Sequence, residues 1–226
     1  MDTAPPRTPP SEERLAERLA AGPPAARAPR RATAVRLLRD LGRIDRAVYR
    51  AVAGTPAPVL DRPVRRLSRF ADRSRLWMAV AGVMAATGGR AGRRAAGVGL
   101  AAVAVDSAVV NIGFKVAARR RRPDRDLAGV PEVRWVPMPH SASFPSGHTA
   151  SGFAFAAAVA RVLPVAAAPL RTLAAVVGYS RIHTGVHYPG DVVIGAMIGA
   201  AVGEAVGWGL WRADVVPRFS WQRSAP

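Results

Sequence analysis

The stretch Asp191-Val-Val-Ile-Gly195-Ala-Met-Ile-Gly199-Ala-Ala-Val-Gly203-Glu-Ala-Val-Gly207-Trp-Gly-Leu-Trp211 decides how this chain is built. It is apolar over the roughly 20 residues that an α-helix needs to cross a bilayer. Its glycines recur every fourth residue, which lines them up as a smooth stripe where a second helix can approach closely. That helix is expected to come from this chain rather than from a second copy. Trp208 and Trp211 read as anchors at the membrane–water interface. Glu204, beside the stripe, has no account from sequence.

Four more apolar stretches precede it: Leu76–Gly89, Ala95–Ala118, Thr149–Leu163 and Val165–Tyr179. Pro164 separates the last two, with Arg161 and Arg171 near the turn. Leu76–Gly89 is short for a crossing unless its flanking residues snorkel. Arg46–Leu60 is a poor further candidate, because it holds Arg50 and two prolines. No alternating pattern of a β-strand competes. The expected fold is all-α, a multi-spanning transmembrane helical bundle of about five spans.

The N-terminal third differs. Residues 1–32 carry Pro5, Pro6, Pro9, Pro10, Pro23, Pro24 and Pro29 among Ala and Arg, with little to bury, and read as a disordered tail. No signal peptide is visible there. Over 33–75, Leu37, Leu38, Leu41, Ile44, Val48 and Val52 recur at three- and four-residue intervals. This is an amphipathic helix, interrupted at Gly54–Pro58 and weakly continued by Val64, Leu67 and Phe70. Its two readings are a helix lying on an anionic membrane surface and a helix packed on the rest of the protein. Residues 76–214 form the membrane-embedded domain, and 215–226 a short basic tail.

The formal net charge is +18, nearly all from arginine, and Lys115 is the only lysine. Such a balance attracts anions without choosing among nucleic acid, lipid headgroups and phosphorylated substrates. The absence of cysteine excludes a disulfide framework, a zinc–thiolate site and a thiol nucleophile.

Three polar clusters interrupt the apolar domain. They are Lys115-Val-Ala-Ala-Arg119-Arg120-Arg121-Arg122-Pro123, then Phe144-Pro145-Ser146-Gly147-His148, then Ser180-Arg181-Ile-His183-Thr-Gly185-Val-His187-Tyr188-Pro189-Gly190-Asp191. Counting spans puts all three on one membrane face. A phosphate ester is anionic, and its transition state spreads charge over the nonbridging oxygens. Lys115, Arg122 and Arg181 can neutralise that charge. The Ser146 hydroxyl and the Gly147 amide sit at a helix start, which favours an anion. His187, held by Asp191, can present a neutral ring nitrogen to phosphorus, and His148 can protonate the leaving oxygen. Asn111, one turn before Lys115, is placed to support it. Arg119, Arg120 and Arg121 read as a juxtamembrane basic run.

These clusters resemble the signature of the type 2 phosphatidic acid phosphatase superfamily, which includes lipid phosphate phosphatases and vanadium haloperoxidases. The pattern K-x6-R-P is met at Lys115, Arg122 and Pro123. P-S-G-H is met at Pro145, Ser146, Gly147 and His148, and S-R-x5-H-x3-D at Ser180, Arg181, His187 and Asp191. The resemblance implies a helical bundle and a phosphatase acting on a lipid phosphomonoester or diphosphate: phosphatidate, phosphatidylglycerol phosphate, or a polyprenyl phosphate or diphosphate. It implies a phosphohistidine on His187, with Asp191 orienting it and His148 as general acid. Lys115, Arg122, Ser146, Gly147 and Arg181 are implied as the phosphate cradle. No metal and no other cofactor is implied.

Alternatives remain open at this stage. Vanadate in place of phosphate would make a haloperoxidase, although the spans disfavour it. A non-enzymatic basic protein binding membrane or nucleic acid is the third reading, though no specific nucleic acid is expected. His183, His187 and Asp191 are spaced as metal ligands would be on one helix, but Gly185, Pro189 and Gly190 argue against a continuous helix there. His183 reads as a loop residue near the site. Asp106 inside its span reads equally as structural or functional. Orientation is divided: basic residues before the first span place the site in the cytoplasm, whereas Arg90, Arg93, Arg94, Arg171 and Arg212 favour the reverse. The resemblance leans to an extracytoplasmic site in a multi-pass protein of the cell membrane.

Overall fold

The computed structural model describes residues 30–212; of the expected tail at 1–32 only 30–32 lie among them, where they open a helix, and the tail at 215–226 lies outside. The chain divides into two compact units, Met1–Gly42 and Arg43–Pro226. In the first, the described residues are helical. The first helix, α1 (Arg30–Gly54), begins in the first unit and ends in the second.

The regular secondary structure among the described residues is all helical, with no strand. After α1 come α2 (Pro58–Phe70), a 3₁₀ turn at Asp72–Ser74, α3 (Arg75–Thr87) and α4 (Gly89–Ala108). A π-helical turn, Val109–Phe114, leads into the short α5 (Lys115–Ala118). A long loop then reaches α6 (Gly147–Val162), α7 (Ala167–His183) and α8 (Pro189–Arg212). The break after Gly54 falls where expected. Proline opens α2, where its missing N–H costs nothing.

Gly89–Phe114 and Pro189–Leu210 are long and apolar enough to cross a membrane, with mean hydropathies of 1.8 and 1.6. α3, α6 and α7 coincide with the other apolar stretches but have 13, 16 and 17 residues. Each is shorter than the ~20 of a typical span.

α6 is the central helix, packing against α4, α7 and α8. Ala150, Ala154, Phe155, Ala156, Ala158 and Val159 along it are wholly buried. Trp77 of α3 meets Phe155 with ring centroids 5.5 Å apart. Glycine makes room for both rings. A Cβ on Gly152 would fall 2.6 Å from the Trp77 ring, and one on Gly99 2.6 Å from Phe155.

The glycine stripe of α8 packs within the chain, as expected. Cβ atoms on Gly195, Gly199 and Gly203 would stand 2.6, 2.0 and 2.3 Å from the carbonyl oxygens of Ser146, Ala150 and Ala154 on α6. Backbone-to-backbone approach of this kind drives helix association where no water remains to be expelled. Glu204 also gains its account, because it accepts from Arg161 Nε of α6 at 2.6 Å.

The amphipathic α1 does not pack through its apolar stripe at Ile44 and Val48, which are exposed. The opposite face turns inward instead: Tyr49 and Ala53 are buried, and the Tyr49 ring meets Tyr188 edge-on at 5.3 Å. Polar anchoring decides this register, since Asp45 accepts from the Gly190 amide at 2.7 Å and is paired with Arg120.

Replacing Gly199 by Ala puts a methyl group into the Ala150 carbonyl, and overpacking of this kind costs about 1–3 kcal/mol. Gly97→Ala on α4 meets nothing within 4 Å and serves as the control. Thermal unfolding in detergent should show a clear drop in midpoint for Gly199→Ala and none for Gly97→Ala.

Candidate active site

The expected site residues come from four places. Lys115 follows the π-helical turn, Arg122 lies in the long loop, Ser146–His148 open α6, and Arg181 to Asp191 span the end of α7 and the start of α8. The helix does break between His183 and Pro189. Gly185 supplies a positive φ of 72° there, and a Cβ on it would meet the Arg125 side chain at 2.7 Å. The Arg181 carbonyl pins the turn by accepting from the amides of Val186 and His187 at 3.1 and 3.2 Å.

Asp191 is completely buried and draws these pieces together. Its carboxylate accepts from Arg120 Nη1 at 2.7 Å, Ser143 Oγ at 2.5 Å and the Tyr188 amide at 3.0 Å. Its backbone carbonyl accepts from the Ser146 amide at 2.9 Å. His187 Nδ1 lies 3.5 Å from Asp191 Oδ2.

On the other side of that ring, Arg122 Nη1 is 3.2 Å from Nε2. A guanidinium can only donate, so Nε2 accepts and His187 is neutral with its proton on Nδ1, toward Asp191. Burial pushes the His187 pKa down to about 3; Asp191 opposes that, and Arg122 and Arg181 reinforce it. The remaining donors of Arg122 hold the Val186, Ser141 and Ala142 carbonyls, at 2.8, 3.0 and 3.2 Å.

Lys115 Nζ donates to Asn111 Oδ1 at 2.9 Å, the support expected one helical turn away. Lys115, Gly147, His148, Asn111, Arg73 and Ser151 border a cavity of about 170 Å³. Asp106, wholly buried, accepts from Ser151 Oγ at 3.1 Å and lines the same cavity. Ser146 is turned away, its hydroxyl 3.0 Å from Thr149 Oγ1. Arg181 is buried, donating to the Ser68 hydroxyl at 2.8 Å and carbonyl at 3.2 Å, while its Nε has no partner among the described residues. Arg181 acts electrostatically on His148 and on His187, and Arg122 on Lys115 and on Arg181. The three cations and two histidines therefore form one electrostatic cluster.

Several members escaped the sequence reading. Asp72 Oδ1 lies 2.8 Å from His148 Nε2 and 3.5 Å from Arg181 Nη1. It stands in a turn whose next two residues, Arg73 and Ser74, both have positive φ, 55° and 58°. Left-handed backbone costs a non-glycine residue roughly 1–2 kcal/mol. Burial works against the Asp72 charge, but the His148 hydrogen bond and the Arg181 charge together leave its pKa below the usual carboxylate value.

Arg120 is more than part of a basic run: it bridges Asp45 and Asp191 and lies 4.3 Å over the Tyr188 ring. His183 ends α7 instead of lying in a loop. Its Nε2 is 3.0 Å from Asp61, which also pairs with buried Arg134 at 2.7 Å. Arg134 donates as well to the carbonyls of Ala53 and Thr55, at 3.2 and 2.7 Å, fastening the long loop to the α1–α2 turn.

A model of the PAP2 superfamily matches residues 94–213. The chain belongs to the PAP2 superfamily. It is 38% identical over 151 residues to a decaprenylphosphoryl-5-phosphoribose phosphatase of Mycolicibacterium smegmatis, covering 66% of this chain and 77% of that protein. The protein of the same name from Mycobacterium tuberculosis is 36% identical over 167 residues, covering 69% and 86%. Among solved structures, Aquifex aeolicus LpxE superposes with a TM-score of 0.57 at 27% identity, covering 71% of this chain and 92% of that one. A PAP2-type phosphatidylglycerolphosphate phosphatase from Bacillus subtilis gives 0.57 at 22% identity over 80% and 90%, a likeness of fold alone. This PAP2 protein is a membrane lipid phosphatase, a phosphoric monoester hydrolase.

His187 has a measurable signature. Its pKa in the folded protein, about 3, lies below the ordinary histidine value. Between the two the unfolded chain binds the extra proton, so stability falls as pH drops through about 6.5 toward 3. The thermal midpoint in detergent should decrease from pH 7.5 to pH 5, and should decrease less in His187→Asn.

Proposed function

We propose that this PAP2 phosphatase removes the terminal phosphomonoester of a polyprenyl-linked sugar phosphate through a phosphohistidine on His187. The observation that carries the chemistry is the Arg122–His187–Asp191 line: a buried neutral imidazole with Nε2 as acceptor and its opposite nitrogen facing a carboxylate. The substrate class follows the names of the relatives at 36–38% identity.

The phosphoryl group enters between Arg122 and His187 and takes over the guanidinium donor now shared with Nε2. The Nε2 lone pair forms a bond to phosphorus as the bond from phosphorus to the sugar oxygen breaks. His148 gives its proton to that oxygen. A water then attacks phosphorus, His148 takes the water's proton, and the N–P bond breaks to release inorganic phosphate. The positive charge that builds on the ring in each half-reaction is offset by the Asp191 carboxylate facing Nδ1.

Lys115, Arg122 and Arg181 hold the nonbridging oxygens, with the unpartnered Arg181 Nε as a ready donor. The Gly147 amide adds a donor at the α6 N-terminus, and Ser146 fixes that turn. Asp72 holds His148 in position until substrate arrives.

In this reading α3, α4, α6, α7 and α8 cross the membrane, five spans in a multi-pass protein, with the site on the extracytoplasmic side. Residues 76–214 form the phosphatase domain. The exposed apolar stripe at Ile44 and Val48 lies along the lipid surface, as suits an interfacial segment over 33–75.

The test is phosphate release by detergent-purified protein from decaprenylphosphoryl-5-phosphoribose with EDTA present. His187→Ala should lower kcat by a factor on the order of 10³ or more, and His148→Ala by about 10²–10⁴. Turnover that survives in His187→Ala, or that requires a divalent cation, overturns the mechanism.

A further inference from the structure

A second cavity, of about 680 Å³, adjoins the site. Arg66, Arg69, Arg73 and Arg75 line it, with Phe70 and a single carboxylate, Asp72. Arg73 also borders the smaller cavity that holds Lys115 and His148. Arg73 is thus common to the walls of both, next to Asp72, which touches His148.

Four guanidinium groups face one carboxylate here, and that carboxylate is engaged by His148. Among the described residues none of the four guanidinium groups makes a hydrogen bond or an ion pair, although the Arg69 charge is felt at Asp72. Arg66 and Arg69 share a face of α2, three residues apart. Arg75 opens α3, whose N-cap residue Ser74 makes no side-chain capping bond, so the α3 amides add to the positive field. Like charges gathered in a concavity repel one another unless an anion joins them. Arginine forks suit a phosphate in particular, because they donate in pairs to its oxygens.

We infer that this arginine-lined cavity holds a second anionic group of the substrate, the phosphodiester that joins the sugar phosphate to its lipid, while the terminal phosphate lies at His187. The inference rests on the phosphatase reading above and narrows it: the preferred substrate carries two phosphorus centres. A lipid with a phosphomonoester alone leaves the four arginines without their anion. Phosphodiester headgroups of bulk anionic lipid offer the same chemistry, and the experiment separates the two sources.

Steady-state kinetics in neutral detergent would compare decaprenylphosphoryl-5-phosphoribose, which has a phosphodiester and a phosphomonoester, with decaprenyl phosphate, which has the monoester alone. The wild-type KM should be at least tenfold lower for the first. The double variant Arg66→Gln/Arg69→Gln, both on the exposed side of α2, should raise that KM at least tenfold, with a much smaller change for decaprenyl phosphate. Equal KM values in the wild type, or equal losses on both substrates in the variant, overturn the inference. A second arm adds phosphatidylglycerol to the micelles. Stimulation of decaprenyl phosphate turnover that disappears in the variant assigns the cavity to bulk lipid and also overturns it. Wild-type protein that releases phosphate from neither substrate overturns the phosphatase reading itself, an outcome distinct from release without preference.

Discussion

A carboxylate with no solvent exposure must find donors from the protein, or its desolvation is uncompensated. Asp191 is such a group, and the way it is satisfied organises the polar end of the bundle. Arg120 and Ser143 reach it from the long loop, and Tyr188 offers its amide from the turn before α8. The Ser146 amide binds its backbone carbonyl, which fixes the start of α6 against the start of α8. His187 is held between this carboxylate and Arg122. Removing any one donor would leave a buried charge short of partners, so the loop, both helix starts and the histidine are coupled through one residue.

The apolar part of the molecule serves the same end by a different force. α6 and α8 meet through glycine and alanine with carbonyl oxygens in the contact, which brings their N-termini close together. At Gly195 that approach reaches the Ser146 carbonyl, immediately before the Gly147–His148 turn. Larger side chains along the stripe would push α8 outward and carry Asp191 away from Ser143 and Ser146. Small residues in the helix interface are thus a geometric condition for the polar network above them.

Much of this arrangement was legible because motif spacing and span counting act independently. Lys115, Arg122, Ser146–His148, Arg181, His187 and Asp191 were each marked by spacing, and counting apolar stretches put them at one end of the bundle. The Asn111–Lys115 contact followed from helical periodicity. Asp72 was not marked, since a lone aspartate in a turn resembles any other; only its place at the start of the first apolar stretch put it on the same face. Arg120 was hidden among identical neighbours, where composition cannot tell a structural guanidinium from a solvated one. Asp61, Arg134 and His183 are far apart in sequence, and no local pattern predicts that long-range pairing will bury all three. Which face of α1 packs was left open for a similar reason. Hydrophobic periodicity locates the apolar stripe, but the Asp45 anchor and the Tyr49–Tyr188 ring contact decide which side turns inward.

Carboxylates are set against the cations of this site. Asp45 shares Arg120 with Asp191, Asp61 holds Arg134 and His183, and Asp72 stands against His148 and Arg181. Asp45, Asp61 and Asp191 are built into the frame, because they are buried or accept from a backbone amide as well. The Asp72 pairing is different. Its side chain is 38% exposed, against none for Asp191, and it approaches the two cationic or protonatable groups that an incoming phosphate would also seek. A dianion arriving there competes with a carboxylate already in place, so its binding is the exchange of one anion for another and not the filling of a bare positive field. Such an exchange weakens ground-state affinity, and the interactions regained as charge develops in transfer are then available to the transition state.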